Sequence, residues 1–376
     1  MNIPFNKPYL SGKEIDYMSE SIQKGKISGD GFFTNKCHDF FEKNFGFKKV
    51  FLTTSCTDAL EMAAILCEIK DGDEVIVPSF TFVSSAIAFV RQGAKIIFAD
   101  SEIKTPNIDA SNIENLITSR TKAIVVVHYA GLSCDMNKIM NIAKRHNIYV
   151  IEDAAQAIDS FYNKKRLGSI GHLSTFSFHE TKNIICGEGG MLVINDDLFI
   201  DRAEIIREKG TNRSSFFRGE IDKYGWVDIG SSFLPSDILA AFLYAQIENI
   251  SDIQQKRKKI WDLYYSLLNP IANKGFFKLH VVPNYASNNA HMFYLICNSL
   301  SDRSNLIKHL KGHGIMAVFH YQSLHKSDFC INQYNDCKFP NADRYSDCLL
   351  RLPLFYDLTT DNLHKIVGVI NNFYNQ

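Results

Sequence analysis

The sequence lacks an excess of charge of either sign: 41 Lys and Arg balance 41 Asp and Glu over 376 residues. A broad cationic surface for nucleic acid or anionic lipid is therefore not expected, although a local patch is compatible with zero net charge. Proline and glycine are scarce, at 9 and 21, which excludes a linker or low-complexity chain. No run reaches the ~20 apolar residues of a membrane span. The longest uncharged stretch, Val75 to Val90, is interrupted by Pro78, Thr81 and several serines. Met1 to Lys7 shows neither the basic start nor the apolar run of a secretory signal, so a soluble cytoplasmic protein is expected. The nine cysteines are odd in number and contain no CxxC, which argues against a disulfide framework or a zinc knuckle. Small buried hydrophobes in a reducing compartment are the expected role. No Walker A and no GxGxxG pattern is present, which weakens a nucleoside-triphosphate or dinucleotide reading.

What is present is ordinary globular composition, 45% hydrophobic and 22% charged. The length suggests roughly two to three folding units and a core that needs no staples. Short β-rich runs alternate with helical patterns. Strands are expected at Val50–Leu52, Glu74–Val77, Lys95–Ala99, Ala123–Val127, Tyr149–Ile151, Ser174–Phe178 and Met191–Ile194. Helices are expected at Asp58–Glu68, at about Val83–Gln92 and at Met136–His146. Continuous apolar strands separated by helices indicate an α/β fold with a mostly parallel sheet covered on both faces. The texture changes near residue 250. One long helix is expected from Ile238 to about Leu268. A smaller α+β unit follows, with strands at Ala290–Cys297 and Ile315–Phe319 and helices at Arg303–Gly312 and Thr360–Tyr374.

Three constellations carry chemistry. Ser55-Cys56-Thr57 sits at a strand-to-helix turn, where free N–H groups and the helix dipole attract an anion. Simple N-capping accounts for the same residues. Glu152-Asp153-Ala154-Ala155-Gln156 closes an apolar strand, where open α/β sheets bind ligands. A capping or salt-bridged aspartate is the plainer account. Lys182 lies between the hydroxyl-bearing strand Ser174–Phe178 and the glycine-rich loop Gly187–Gly190. It is an ordinary surface lysine unless its environment tunes it for a Schiff base. Together, an anion cradle, an aspartate and a lysine on successive strand ends are the parts a pyridoxal phosphate (PLP) site needs.

These segments resemble the DegT/DnrJ/EryC1/StrS family of nucleotide-sugar aminotransferases over essentially the whole chain. The resemblance rests on Pro4-Phe5-Asn6, Val77 to Phe82, Glu152 to Gln156, Phe176 to Asn183, His320-Tyr321 and Leu352-Pro353-Leu354. Within the family it is nearest the dTDP-4-amino-4,6-dideoxygalactose transaminase group, through Ser55-Cys56-Thr57, His179 to Asn183, Arg207 to Arg213 and Asp228 to Ser232. The resemblance implies the fold-type I, aspartate aminotransferase-like architecture. A large seven-stranded domain would span residues 1–248, its N-terminal segment packing on a small C-terminal α+β domain of residues 249–376.

It also implies roles. Lys182 takes the PLP aldehyde and shuttles the proton, the cofactor passing through pyridoxamine phosphate (PMP). Asp153 pairs with the pyridine nitrogen, Gln156 contacts the phenolic oxygen, and Phe82 stacks on the ring. Ser177 joins Ser55, Cys56 and Thr57 at the phosphate. Two positions depart from the common pattern: Cys56 stands where many members have Gly, and Ser232 where many have an Asn that reaches the neighbouring subunit's cofactor. Arg207, Lys209, Arg213, Arg218 and Lys223 offer cations for a sugar-nucleotide diphosphate, with a solvated loop as the plainer account. His179, His320, Tyr321 and His325 match positions lining the sugar site. His309 and His313 lie four apart on a helix but lack a third ligand in sequence, so no metal is expected.

The implied reaction moves an amino group from L-glutamate to C4 of dTDP-4-dehydro-6-deoxy-D-glucose. Its products are dTDP-4-amino-4,6-dideoxy-D-galactose, for surface polysaccharide, and 2-oxoglutarate. The implied assembly is a homodimer with shared active sites. A 3-keto or UDP-linked acceptor and a non-catalytic PLP-binding role stay open. A sugar-dehydratase role is disfavoured, because that branch carries histidine where Lys182 stands.

Overall fold

The computed structural model describes residues 2–334 and 336–375. Seven strands form the main sheet: β1 Lys49–Thr53, β2 Glu74–Pro78, β3 Lys95–Ala99, β4 Thr121–Val127, β5 Tyr149–Asp153, β6 Leu173–Ser177 and β7 Gly190–Ile194. Their order is β1-β7-β6-β5-β4-β2-β3. Only β7 runs against the others, pairing antiparallel with both β1 and β6. The expected mostly parallel α/β sheet is thus observed. Alternate residues feed two cores. Ile124, Val126 and Val150 pack on one face, and Ala123, Val125 and Ile151 on the other. Continuous apolar strands are what a sheet covered on both sides requires.

The helix after β1 spans Cys56–Leu66 and begins two residues earlier than its pattern suggested, because Ser55 caps it by accepting from the Asp58 N–H at 3.0 Å. The long helix expected from Ile238 is two helices, Asp237–Glu248 and Ile250–Ala272. Asn249 separates them: its backbone leaves helical geometry and its side chain donates to the Ala245 carbonyl at 2.8 Å. Two N-terminal helices, Glu14–Gln23 and Phe32–Phe45, were not read from the pattern. Buried Asp237 ties both down, accepting from Ser21 Oγ at 2.9 Å and the Thr34 N–H at 2.8 Å.

The C-terminal strands are β8 Phe277–Leu279, β9 Phe293–Cys297, β10 Val318–Phe319 and β11 Leu349–Leu352, in the antiparallel order β8-β9-β11-β10. β9 starts three residues later than expected, since Ala290 adopts positive φ and breaks the extended run. Ile315 pairs with Ile3 in place of extending β10. The N-terminal segment is therefore hydrogen-bonded beside this second sheet, Ile3 N donating to the Gly314 carbonyl at 2.8 Å. Helix Leu300–Gly312 starts three residues before Arg303, capped by Ser299, and Thr360–Tyr374 runs as expected. No helix among the described residues is long and apolar enough to cross a membrane.

Candidate active site

The carboxyl ends of β5 and β6 open into a cavity of about 460 Å³. Asp153, the last residue of β5, is buried on its wall. Its Oδ2 accepts from Ser85 Oγ at 2.6 Å and its Oδ1 from the Ala155 N–H at 3.1 Å. Ser85 is itself 2.9 Å from Thr81 Oγ1. Burial pushes the Asp153 carboxyl above the ordinary carboxylate range, against the pull of Ser85, Ala155 and Lys182. A cation set against this carboxylate would restore its charge.

Lys182 leaves β6 on the loop that returns as β7. Its N–H donates to the His179 carbonyl at 2.9 Å, and the Phe178 N–H donates to the Gly189 carbonyl at 2.8 Å. The loop therefore folds back on itself and presents Lys182 to the cavity. Burial lowers the basicity of the amine, and the Arg351 guanidinium acts in the same direction. A lysine depressed in this way has a larger neutral, nucleophilic fraction.

The anion end is the N-terminus of the Cys56–Leu66 helix. Thr57 Oγ1 lies 2.8 Å from Ser84 Oγ, and both line the cavity with Cys56 and Ser177. Gly190 backs this turn. A Cβ there would collide with the backbone of Ser55 and Cys56, so only glycine lets β7 approach. The Ser55 hydroxyl, expected at the phosphate, donates to Asp58 Oδ2 at 3.0 Å while accepting from the Asp58 N–H. The capping role thus takes that hydroxyl. The helix's free N–H groups, Thr57 and Ser177 remain for an anion.

Gln156 Oε1 accepts from the Ala130 N–H at 2.6 Å, and Nε2 donates to the Tyr321 hydroxyl at 3.3 Å. Phe82 lines the cavity with its ring 5.8 Å from that of Tyr321. His179 Nδ1 accepts from the Thr181 N–H at 3.2 Å, and Nε2 faces Glu188 at 3.6 Å. His320 Nδ1 meets the Tyr129 hydroxyl at 2.9 Å. Burial holds this imidazole well below its ordinary value, hence neutral.

Four expected residues lie elsewhere. Arg207 is buried outside the cavity, pairing with Asp30 Oδ2 at 2.7 Å and lying over the Phe51 ring. That engagement withdraws it from a diphosphate role in its own chain. Arg213 faces Glu208 at 3.7 Å on a half-exposed helix and does not line the cavity. Ser232 is exposed and bridged to Glu208, also outside its own chain's cavity. His325 is buried against Ser79 Oγ at 2.6 Å, a core contact. Of the other loop cations, Arg218 is paired with Glu204 and Glu220.

The cavity also contains residues not singled out from sequence: Arg351, His291, Thr81 and Ser85. Arg351 directly precedes Leu352-Pro353-Leu354 and interrupts an apolar strand, a signal available beforehand. The hydroxyls of Thr81 and Ser85 sit four apart in the uncharged run 75–90. Among the described residues no group of three or more His, Cys, Asp or Glu is placed to hold a metal ion.

The donor set fits a phosphorylated aldehyde with a basic ring nitrogen: an amine, an acid with no ion-pair partner among the described residues, and a helix terminus on one wall system. With the mostly parallel sheet, these features define a fold-type I transferase. The chain belongs to the DegT/DnrJ/EryC1/StrS aminotransferase family, whose model matches residues 8–371. It is 35% identical to GDP-perosamine synthase of Caulobacter vibrioides, over 97% of this chain and 96% of that one. It is 32% identical to GDP-perosamine synthase of Escherichia coli O157:H7, over 99% and 98%. Among solved structures it resembles Spr1654 from Streptococcus pneumoniae in its PLP-form, with TM-score 0.89 and 25% identity, covering 99% of this chain and 98% of that one.

Proposed function

We propose that this protein is a PLP-dependent aminotransferase that carries an amino group from L-glutamate to C4 of a keto-sugar nucleotide. The observation that carries the reading is the shared cavity of buried Asp153, tuned Lys182 and the Cys56–Leu66 helix N-terminus. PLP bound there supplies an electron-withdrawing ring that stabilises negative charge on the carbon beside the amine. Asp153 keeps the ring nitrogen protonated by charge pairing. Lys182 would hold the aldehyde, and its amine, once free, would move the proton between the two carbons that flank the transferred nitrogen. Thr57, Ser177 and the N–H groups at Cys56 and Thr57 would hold the phosphate. Gln156 Nε2 would offer its second hydrogen to the phenolic oxygen, and Phe82 would cover a ring face.

We take dTDP-4-dehydro-6-deoxy-D-glucose as the acceptor, for surface-polysaccharide synthesis in the cytoplasm. The support is the resemblance of the Arg207–Arg213 and Asp228–Ser232 segments to the dTDP-sugar group. A GDP-linked keto-sugar is the second reading, favoured by the two GDP-perosamine synthases among the relatives. We also propose a homodimer in which Ser232 approaches the partner's cofactor phosphate. Exposed Trp226, Val227 and Ile229 beside Ser232, 83%, 54% and 53% accessible, give a second copy apolar surface to cover.

Absorbance of the PLP-loaded protein before and after L-glutamate tests the first half-reaction. Loss of the visible band with release of 2-oxoglutarate is expected; an unchanged band would refute the donor. Adding dTDP- and GDP-linked keto-sugars in parallel then identifies the acceptor by return of the band. Borohydride reduction and peptide mapping should place the pyridoxyl group on Lys182, and Lys182→Ala should abolish turnover. Sedimentation should show a dimer; a fully active monomer would refute the shared site.

A further inference from the structure

Asn183, the residue after Lys182, is buried and engages both polar atoms of its side chain. Nδ2 donates to Gln254 Oε1 at 2.7 Å and to the Asn289 carbonyl at 2.9 Å, and Oδ1 meets His291 Nδ1 at 2.8 Å. Both amide hydrogens are thereby used, so Oδ1 accepts and the ring proton of His291 lies on Nδ1. Burial, with the cations Lys182, Arg351 and Arg257 nearby, holds this imidazole well below its ordinary value, hence neutral.

The partners of Asn183 are anchored in turn. Asn289 is fully buried; its Nδ2 donates to the Gln156 and Ile158 carbonyls at 2.8 and 2.9 Å, and its Oδ1 accepts from the His291 N–H at 3.0 Å. Gly131 makes room for this amide: a Cβ there would collide with it, and the φ of 77° favours glycine. Arg257, buried on helix Ile250–Ala272 with Gln254, donates to the Ala290 and His291 carbonyls at 3.1 and 2.8 Å. Segment 289–291, which leads into β9, is thus one strut. It holds Gln156 by its carbonyl, Lys182 through Asn183, and His291 on the cavity wall. Pairing buried polar groups accounts for a closed network anywhere in a core. This one grips the flanks of two cavity residues that lie on separate loops.

We propose that His291 is a positioning residue for Lys182. By donating to Asn183 it fixes the loop backbone, and with it the reach of the amine relative to Gln156. This rests on the aminotransferase reading above. Slack in the strut displaces a reacting group without removing a ligand contact, so it lowers rate and leaves affinity.

The test reads Lys182 before any substrate is present. PLP mixed with apo-protein gives the visible band, and its first-order rate at saturating PLP reports how well the amine meets the aldehyde. The donor half-reaction with L-glutamate is the second readout. His291→Asn places an amide N–H near the position of Nδ1–H, and His291→Gln places it near Nε2. The Asn variant is expected to keep both rates within about threefold of wild type, and the Gln variant to lose roughly 30- to 100-fold, the scale of an ångström of misplacement. KM for L-glutamate should move by less than about twofold in both. In an Asn183→Ala background, His291→Gln should cost no more than about threefold further, because the group it acts through is gone. Asn183→Ser, too short to reach His291, should show the same loss and replaces His291→Gln if that variant does not fold. Wild-type rates in His291→Gln, the reverse ranking of the two variants, full additivity with Asn183→Ala, or a loss confined to KM would overturn the assignment. A wild-type protein that forms the band but reacts with no amino donor would overturn the aminotransferase reading, and the capture rates would still decide the role of His291.

Discussion

Ser85 Oγ donates to Asp153 Oδ2 at 2.6 Å, and both side chains are buried. The hydroxyl stabilises the ionised form of an acid that burial drives toward neutrality. Ser85→Ala removes that bond without opening a large cavity. A hydrogen bond to a charged group contributes about 1.5–3 kcal/mol, so the Kd for PLP should rise roughly tenfold or more. Equilibrium titration of the apo-protein with PLP measures it. An unchanged Kd would mean that Ser85 does not tune Asp153.

Asp153 itself gives the complementary case. Its folded pKa lies above the unfolded reference of about 3.9. The unfolded chain therefore ionises first as pH rises, so stability falls from the unfolded value upward and the full cost is reached above the folded value. Asp153→Asn removes this cost, while its amide can donate to Ser85 Oγ and still accept from the Ala155 N–H. The apo-protein should melt no lower than wild type at neutral pH, and the rise in Tm on adding PLP should largely vanish. The donor half-reaction should fall by roughly two orders of magnitude or more, since the ring nitrogen loses its countercharge. A full PLP-induced rise in Tm would refute the pairing.

Much of this was legible in the residues. Ala123–Val127 is β-branched throughout except its first residue and forms most of an interior strand of the sheet. Met136–His146 announces both ends, with Asp135 capping its start and Lys144, Arg145 and His146 in its last turn. Asp153 ends β5 and Lys182 lies on the loop after β6, and the two strands are parallel neighbours in the sheet. What escaped depended on distant partners. Helix Phe32–Phe45 starts at Gly31 without a side-chain cap and is anchored by Asp237, 203 residues away from Thr34. Arg207 sits in a charged run that reads as solvated, yet its partner is Asp30, 177 residues earlier. Asn249 falls inside a helical pattern, and only its backbone geometry shows the break.

The Arg207–Asp30 pair predicts a split between stability and substrate affinity. Arg207 is 3% exposed and also lies over Phe51. Arg207→Ala strands a partly buried carboxylate and removes packing, costing about 1–3 kcal/mol. The urea midpoint should fall. KM for the sugar nucleotide should stay within about twofold, because Arg207 does not line the cavity. A large KM increase with an unchanged midpoint would return Arg207 to the diphosphate site.

Glu152 precedes Asp153 and points to the other face of the sheet, where it is fully buried. It accepts from His128 Nε2 and the Gly168 N–H, each at 2.9 Å, and from the Ile170 and Gly171 N–H groups at 2.8 and 2.6 Å. His128 Nδ1 accepts from the Cys134 N–H, which leaves the ring proton on Nε2. Burial raises the Glu152 pKa, but these bonds outweigh it, and the carboxyl lies below its ordinary value. The sign is therefore opposite to that of Asp153. The stability is present above the unfolded pKa of about 4.3 and is lost as pH falls through the folded value. Glu152→Gln turns amide hydrogens toward backbone donors, so it should cost about 3 kcal/mol at pH 7. It should also flatten the acid limb of stability below about pH 4, because the variant has no carboxylate to protonate. Urea midpoints from pH 3 to pH 7 measure both effects. Parallel acid limbs in wild type and variant would show that Glu152 is already protonated in the fold, and that the 168–171 loop is held under β5 by neutral bonds alone.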